Sequence, residues 1–152
     1  MLIDSGERRE AATGAVRDVT TGKPETWLLS PYVVPCIHMR QYLLTRDTAP
    51  LYARFRELVD VPGGWQRVCD HLAAGVVKYD AFNWAKGMPL SWGVASYIRH
   101  WLQADRGDRD EDHHAAQMCN AMFLIHWEAE VAAGRLPNTL DDLPHYDTIN
   151  EG

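Results

Sequence analysis

From Glu111 to Ala133 the chain contains neither proline nor glycine, and Gly134 follows directly. Met118, Met122, Ile125 and Val131 fall near one face of this stretch, so it predicts a long amphipathic helix closed by a C-terminal glycine. A helix of this length must bury its apolar face, and the preceding chain offers other helices to pack against it. Val33, Val34, Ile37, Tyr42 and Leu44 suggest a helix over 32–44, with Pro35 tolerated near its start. Thr48 and Pro50 suit the cap and first turn of a second helix carrying Leu51, Phe55, Leu58 and Val59, which VPGG ends at 61–64. A third helix is expected over 65–79, with Val68, Leu72, Val76 and Tyr79 in one stripe. A fourth is expected from a cap at Ser91 to Gln103, with Trp92, Ala95, Ile98 and Leu102 turned inward. No segment alternates apolar and polar residues for long, and glycine-rich phosphate loops of the GxGxxG or GxxxxGK[ST] kind are absent. The expected fold is all-α, a compact bundle of four to five helices over 21–144, with a polar arm at 1–20 and a turn-rich tail at 145–152.

The chain has 152 residues, 46% hydrophobic and 24% charged, enough for one core. Its net charge of −6 argues against a nucleic-acid polymer as partner, since backbone phosphates would be repelled. A single nucleotide held through a divalent cation is compatible with that charge. Cys36, Cys69 and Cys119 are far apart, form no CxxC pair and suit a reducing cytoplasm. No apolar run approaches the ~20 residues of a spanning helix, so no membrane partner is expected.

Three segments carry groups capable of chemistry. DRDEDHH places Asp108, Asp110, Glu111, Asp112, His113 and His114 where the fifth helix begins. Acids there complement the helix dipole whatever else they do. Carboxylates and imidazole together also hold a hard cation and polarise a water. His113 and Asn120 share a helical face. SYIRH supplies Arg99 and His100; the arginine is either snorkelling or binding phosphate through its fork. In GVVKYDAFNWAKG, Lys78 and Lys86 bracket Tyr79, Asn83 and Trp84. Such a segment offers stacking faces, an amide for a purine edge and cations for phosphate, or else forms an ordinary loop plugged by its tryptophan. Lys23 lies beside Gly22, where backbone can approach a ligand.

Rival hydrolase signatures do not match. The His–Asp order of the HD phosphohydrolases is reversed at Asp70–His71 and Asp112–His113, and GxSxG and HExxH are absent. The segments TGKPETWLLSP, GVVKYDAFNWAKG, SYIRH, DEDHHAAQMCNA and LDDLP, in this order, resemble the phage dATP/dGTP diphosphohydrolase family. These MazZ-type proteins are related to the MazG-like all-α pyrophosphatases, and KYxxxNWxxG with DEDHxxAxxxN carries the likeness. The resemblance implies an oligomeric helical enzyme, dependent on Mg²⁺ or Mn²⁺, that cuts a deoxypurine triphosphate to monophosphate and pyrophosphate. It would work in the host cytoplasm, feeding the phage synthesis of 2-aminoadenine nucleotides. The paired ExxE and ExxD motifs of MazG proper have no clear counterpart; the ExxE at Glu7–Glu10 lies in the polar arm.

The expected site follows from these segments. Asp112, Glu111, Asp108 and His113 would ligate the cation, with Asp112, His113 and His100 as catalytic groups. Lys23, Lys78, Lys86 and Arg99 would hold phosphates, Trp27 or Trp84 would stack on the base beside Tyr79, Asn83 would read its edge, and Asn120 would face the substrate. Two other classes fit the same residues: a catalytically inactive nucleotide-binding module, and a small helical phage interaction protein.

Overall fold

A computed structural model describes residues 7–146; residues 1–6 of the expected arm and 147–152 of the expected tail lie outside the described residues. The described chain is predominantly helical, as its periodicity predicts. Helices α1 (Ile37–Thr45), α2 (Ala49–Val59), α3 (Gly64–Lys78), α4 (Leu90–Asp105) and α5 (His113–Ala132) follow a short antiparallel hairpin, β1 (Arg8–Glu10) and β2 (Val16–Asp18). Single 3-10 turns stand at Thr26–Leu28, Pro31–Val33, Asn83–Lys86 and Asn138–Leu140. No described helix is long and apolar enough to cross a membrane.

The helix ends depart from expectation for local reasons. The first helix starts at Ile37 rather than 32, because Pro35 forces Val34 into an extended conformation. Thr48 occupies the cap position of α2 without bonding through its side chain; Asp47 Oδ1 instead accepts from the Ala49 amide at 2.9 Å. Ser91 is not a cap either. It lies inside α4, buried, with its amide and hydroxyl bound to Asp142 at 2.9 and 2.5 Å.

Helices α4 and α5 form the centre. A Cβ built on Gly93 would sit 2.9 Å from both Leu124 Cδ2 and Trp127 Cζ3, so the missing side chain is what lets the two helices approach. Around this contact Tyr42, Leu51, Tyr97, Ile98, Leu124 and Trp127 make the larger core, and Phe55, Val59, Val68, Met118 and Cys119 make a second one beneath α2 and α3. Trp127 is fully buried, yet its Nε1 donates to the Trp84 carbonyl at 2.8 Å, which ties the 79–87 loop to α5.

The polar arm is the part that periodicity does not reveal. Its two strands meet through the Thr13–Gly14 turn, where Gly14 has φ +89, and pair in the register Arg8↔Asp18, Arg9↔Arg17, Glu10↔Val16. Two strands alone are marginal in water. The hairpin is held by its neighbours: Ala11 and Ala15 are buried, and Thr13 Oγ1 donates to the Gly87 carbonyl. The Asn83 amide also bridges both polar groups of Val16, at 2.8 and 2.7 Å, as a third strand would.

Candidate active site

One cleft of about 760 Å³ runs between the hairpin, α3, the 79–87 loop, α4 and the start of α5. That volume lies within the ~300–1,000 Å³ of typical ligand sites. Three kinds of lining meet in it.

The first is an imidazole and carboxylate cluster. α4 delivers His100 from its last turns, and the DRDEDHH turn folds back so that α5 begins beside it. His100 Nδ1 lies 2.9 Å from His113 Nδ1 and 3.3 Å from Glu111 Oε1. One ligand atom from each of His100, Glu111 and His113 falls within 4.8 Å of the other two, close enough for one cation, and Asp108, Asp110 and His113 form a second such set. Asp110 Oδ1 is also 2.6 Å from His113 Nε2. Burial, reinforced by His113 and Arg17, pushes the His100 imidazole down to about 3. Burial likewise pushes His71 on α3 down to about 4. Both imidazoles are therefore neutral at pH 7, the state in which they bind metal.

The second lining is cationic. Arg9, Arg17, Lys23 and Arg99 all face the cleft, and none of the four has an ion pair among the described residues. Arg17 Nη2 instead bonds neutral acceptors, Ser96 Oγ at 3.0 Å and Asn120 Oδ1 at 2.8 Å. Burial lowers the Arg17 guanidinium to about 10, with Arg99 and Arg9 pushing the same way. The third lining is apolar. It includes Leu72, Val76, Phe82, Trp84, Met122 and Phe123.

The family described as dATP/dGTP diphosphohydrolase, N-terminal, matches residues 52–134. The chain belongs to the dATP/dGTP diphosphohydrolase family. It is accordingly an enzyme, a nucleoside triphosphate pyrophosphohydrolase of all-α build. No curated protein and no solved structure matches it at a significant level. The matched span of this diphosphohydrolase carries α3, α4 and α5 with both imidazole–carboxylate sets, and leaves the hairpin outside.

Several expected site residues of the diphosphohydrolase do come together. His100, Glu111, Asn120, Lys23, Lys78, Tyr79, Asn83, Trp84 and Arg99 line the cleft, and His113, which lines the neighbouring hollow, is bonded to His100. Others do not, and their local bonding explains why. Asp112 caps α5, accepting from the Ala115 amide at 3.0 Å, and forms a two-point ion pair with Arg67 at 2.7 and 2.8 Å. Burial would raise its carboxyl, but Arg67 and that amide hold it below the usual range, and it stands outside both ligand sets. Asp108 stays out of the cleft: it borders a separate hollow, shared with Glu111 and His113, and pairs with Arg106 at 2.6 Å, although its carboxylate remains within the second ligand set with Asp110 and His113. Trp27 packs on the core with its Nε1 bound to Glu25, and exposed Lys86 does not line the cleft.

Lys78, Tyr79 and Asn83 are in place but engaged. Lys78 Nζ and the Tyr79 hydroxyl each bond Asp18 at 2.8 Å, and both amide atoms of Asn83 are used on Val16. The KYxxxN motif thus clamps the hairpin. Trp84 is stacked on Phe123 at 5.3 Å between ring centroids. Sequence reading missed Arg9, Arg17 and His71. A signal existed for the first two, since the three residues Ala12–Thr13–Gly14 between RREA and AVRD, ending in glycine, are a hairpin-loop pattern. None existed for His71, which reaches the cleft only through the way α3 packs on α5.

Proposed function

We propose that this diphosphohydrolase hydrolyses dGTP or dATP between the α- and β-phosphates, releasing pyrophosphate and leaving the monophosphate. The observation that carries the reading is the meeting, at one cleft, of an imidazole–carboxylate cluster with a set of cations that close no ion pair among the described residues. The donor set fits a divalent cation, because two imidazoles, one of them held neutral by burial, and a carboxylate converge on one point. His100, Glu111 and His113 would hold Mg²⁺ or Mn²⁺, with Asp110 supporting His113 from its other nitrogen. Imidazole ligands favour Mn²⁺ of the two. Such a cation, when bound, neutralises phosphate charge and makes a water more acidic.

The protein's own groups supply the rest. Arg99 and Lys23 neutralise charge that builds on the departing pyrophosphate. Neutral His71, which also lines the cleft, can accept a hydrogen bond from a water there and so orient it. The base lies against Phe82, which lines the cleft, is 72% exposed and is held at φ +58, a costly conformation for a bulky residue. Its ring touches Trp84 at 6.3 Å between centroids but stays largely exposed, whereas Trp84 is stacked on Phe123. The apolar residues Leu28, Tyr32, Val33 and Ile37, exposed on the 28–37 segment, support self-association into an oligomer. On the family likeness the product would feed phage purine nucleotide synthesis in the host cytoplasm.

The test is pyrophosphate release from each deoxynucleotide with Mg²⁺ or Mn²⁺, in wild type and Glu111→Gln. Turnover of a deoxypurine triphosphate, reduced about 100-fold or more in the variant with its fold intact, is the expected result. Full activity in Glu111→Gln would move the metal elsewhere, and phosphate rather than pyrophosphate as product would sink the reaction.

A further inference from the structure

The hairpin breaks a rule of sheet pairing. Arg9 and Arg17 are direct cross-strand partners and both face the cleft. Like charges placed directly opposite one another destabilise a sheet, and a two-stranded ribbon has little stability to spare. Its other face follows the rule: Arg8 opposes Asp18 and pairs with it at 2.9 Å. Arg17 is intermediate in exposure and bonded only to neutral groups, while Arg9 spreads its guanidinium 3.7 Å over the Trp92 ring and leaves Nε without a partner. Most other arginines sit on carboxylates, among them Arg46, Arg56, Arg67, Arg106 and Arg135, whereas Arg40 bonds only the Val34 carbonyl. With a surplus of acids and a net charge of −6, carboxylates are plentiful, yet Glu25 and Asp18 act on Arg9 and Arg17 only from a distance and close no ion pair with them.

We infer that Arg9 and Arg17 form a polyanion subsite that grips the β- and γ-phosphates, so that the hairpin, outside the family-matched span, completes the active site. A bound pyrophosphate group would lie between two forks whose mutual repulsion it relieves, with Arg99 and Lys23 on the same wall. The Ser96 and Asn120 acceptors fix the Arg17 fork from behind and leave its charge unspent. The clamp described above has a purpose in this arrangement. Asp18, Lys78, Tyr79 and Asn83 hold the ribbon that carries the two arginines, which makes them positioning residues.

This inference rests on the proposed reaction but is tested apart from it, by titrating the full chain with inorganic pyrophosphate in a calorimeter, without metal or nucleotide. Wild type should bind, and pyrophosphate should raise its Tm. Arg17→Gln should weaken binding about 10- to 100-fold, the loss expected for a charge-assisted two-point contact, and raise KM for dGTP more than it lowers kcat. Arg9→Gln should weaken binding as well while keeping or raising the Tm at low salt, since it removes the repulsion; it carries the test should Arg17→Gln fail to fold. Arg135→Gln, the same charge change on the far surface, should bind as wild type. Unchanged pyrophosphate affinity in folded Arg17→Gln or Arg9→Gln overturns the inference, as does an equal loss in Arg135→Gln. If these variants bind normally while wild type hydrolyses dGTP, the inference fails and the reaction stands. If wild type binds pyrophosphate through Arg17 but hydrolyses no deoxynucleotide, the reaction fails and the subsite stands.

Discussion

Arg17 and Arg46 are both held inside the protein by several hydrogen bonds, and their surroundings are opposite. Arg46 ends α1 in a left-handed conformation at φ +60, and its Nη2 meets Glu128 at 2.8 Å and Asp141 at 3.0 Å. Its burial would lower the guanidinium, but Tyr42, Glu128 and Asp141 outweigh that and raise it. Arg17 meets only a hydroxyl and an amide, and burial with two neighbouring arginines lowers it. One arginine joins α1 to α5 and the C-terminal segment, and its charge is fully used within the fold. The other leaves its charge available to something outside the fold. The ion pair completed at Arg46 holds structure, whereas Arg17, supported by neutral acceptors and lining the cleft, has charge left for an anion.

That distinction can be broken by mutation. Arg46→Ala strands two partly buried carboxylates, so the largest loss is expected there, about 3–5 kcal/mol of stability, read by urea unfolding. Turnover per folded molecule should stay within a few-fold. Arg17→Met breaks no ion pair and removes a like-charge contact, leaving Ser96 and Asn120 short of a donor. It should cost less than Arg46→Ala, about 1–2 kcal/mol. A larger loss for Arg17 than for Arg46 would erase the contrast.

Acid sharpens the same comparison from the imidazole side. His71 and His100 are neutral in the folded state, with pKa values pushed down to about 4 and 3, whereas an unfolded histidine titrates near 6.5. Above pH ~6.5 neither state binds the proton and the two groups contribute nothing to the pH dependence. As pH falls from ~6.5 towards 4, the unfolded chain takes up protons that the fold refuses, so stability drops across that window. His71→Gln should flatten this limb in pH-dependent thermal melts. An unchanged slope would mean that His71 is already protonated in the fold.

The smallest effect is expected at Asp112, whose ion pair with Arg67 is partly exposed, at 32% and 41% of the two side chains. Asp112→Ala should cost about 1 kcal/mol through the lost helix cap and leave pyrophosphate release within a few-fold of wild type. Loss of activity with stability unchanged would return Asp112 to the metal site.

The helices are legible in the sequence because their causes are local. Apolar spacing at three and four residues, prolines at 31, 35 and 62 and the glycine after Ala133 act within one or two turns, and the five helices follow. The DRDEDHH turn and SYIRH are legible as chemistry for the same reason, since imidazole and carboxylate crowded into few residues are unusual in any fold. Which of those groups face one another is not. Asp112 and Glu111 are neighbours in the chain, yet one turns to Arg67 and the other to His100, because a helix start rotates each successive side chain by a large angle. The hairpin depends still more on the tertiary structure. Its strands are too short to carry a periodic signal, and they persist because Asn83, distant in sequence, supplies backbone bonds a third strand would have made, while Lys78 and Tyr79 hold the Asp18 carboxylate. Sequence alone therefore determined the helical frame and the kind of chemistry. Only the packing of α3 and α4 on α5, with the ribbon beside them, decided that an imidazole–carboxylate cluster and two arginines without ion pairs would share one cleft.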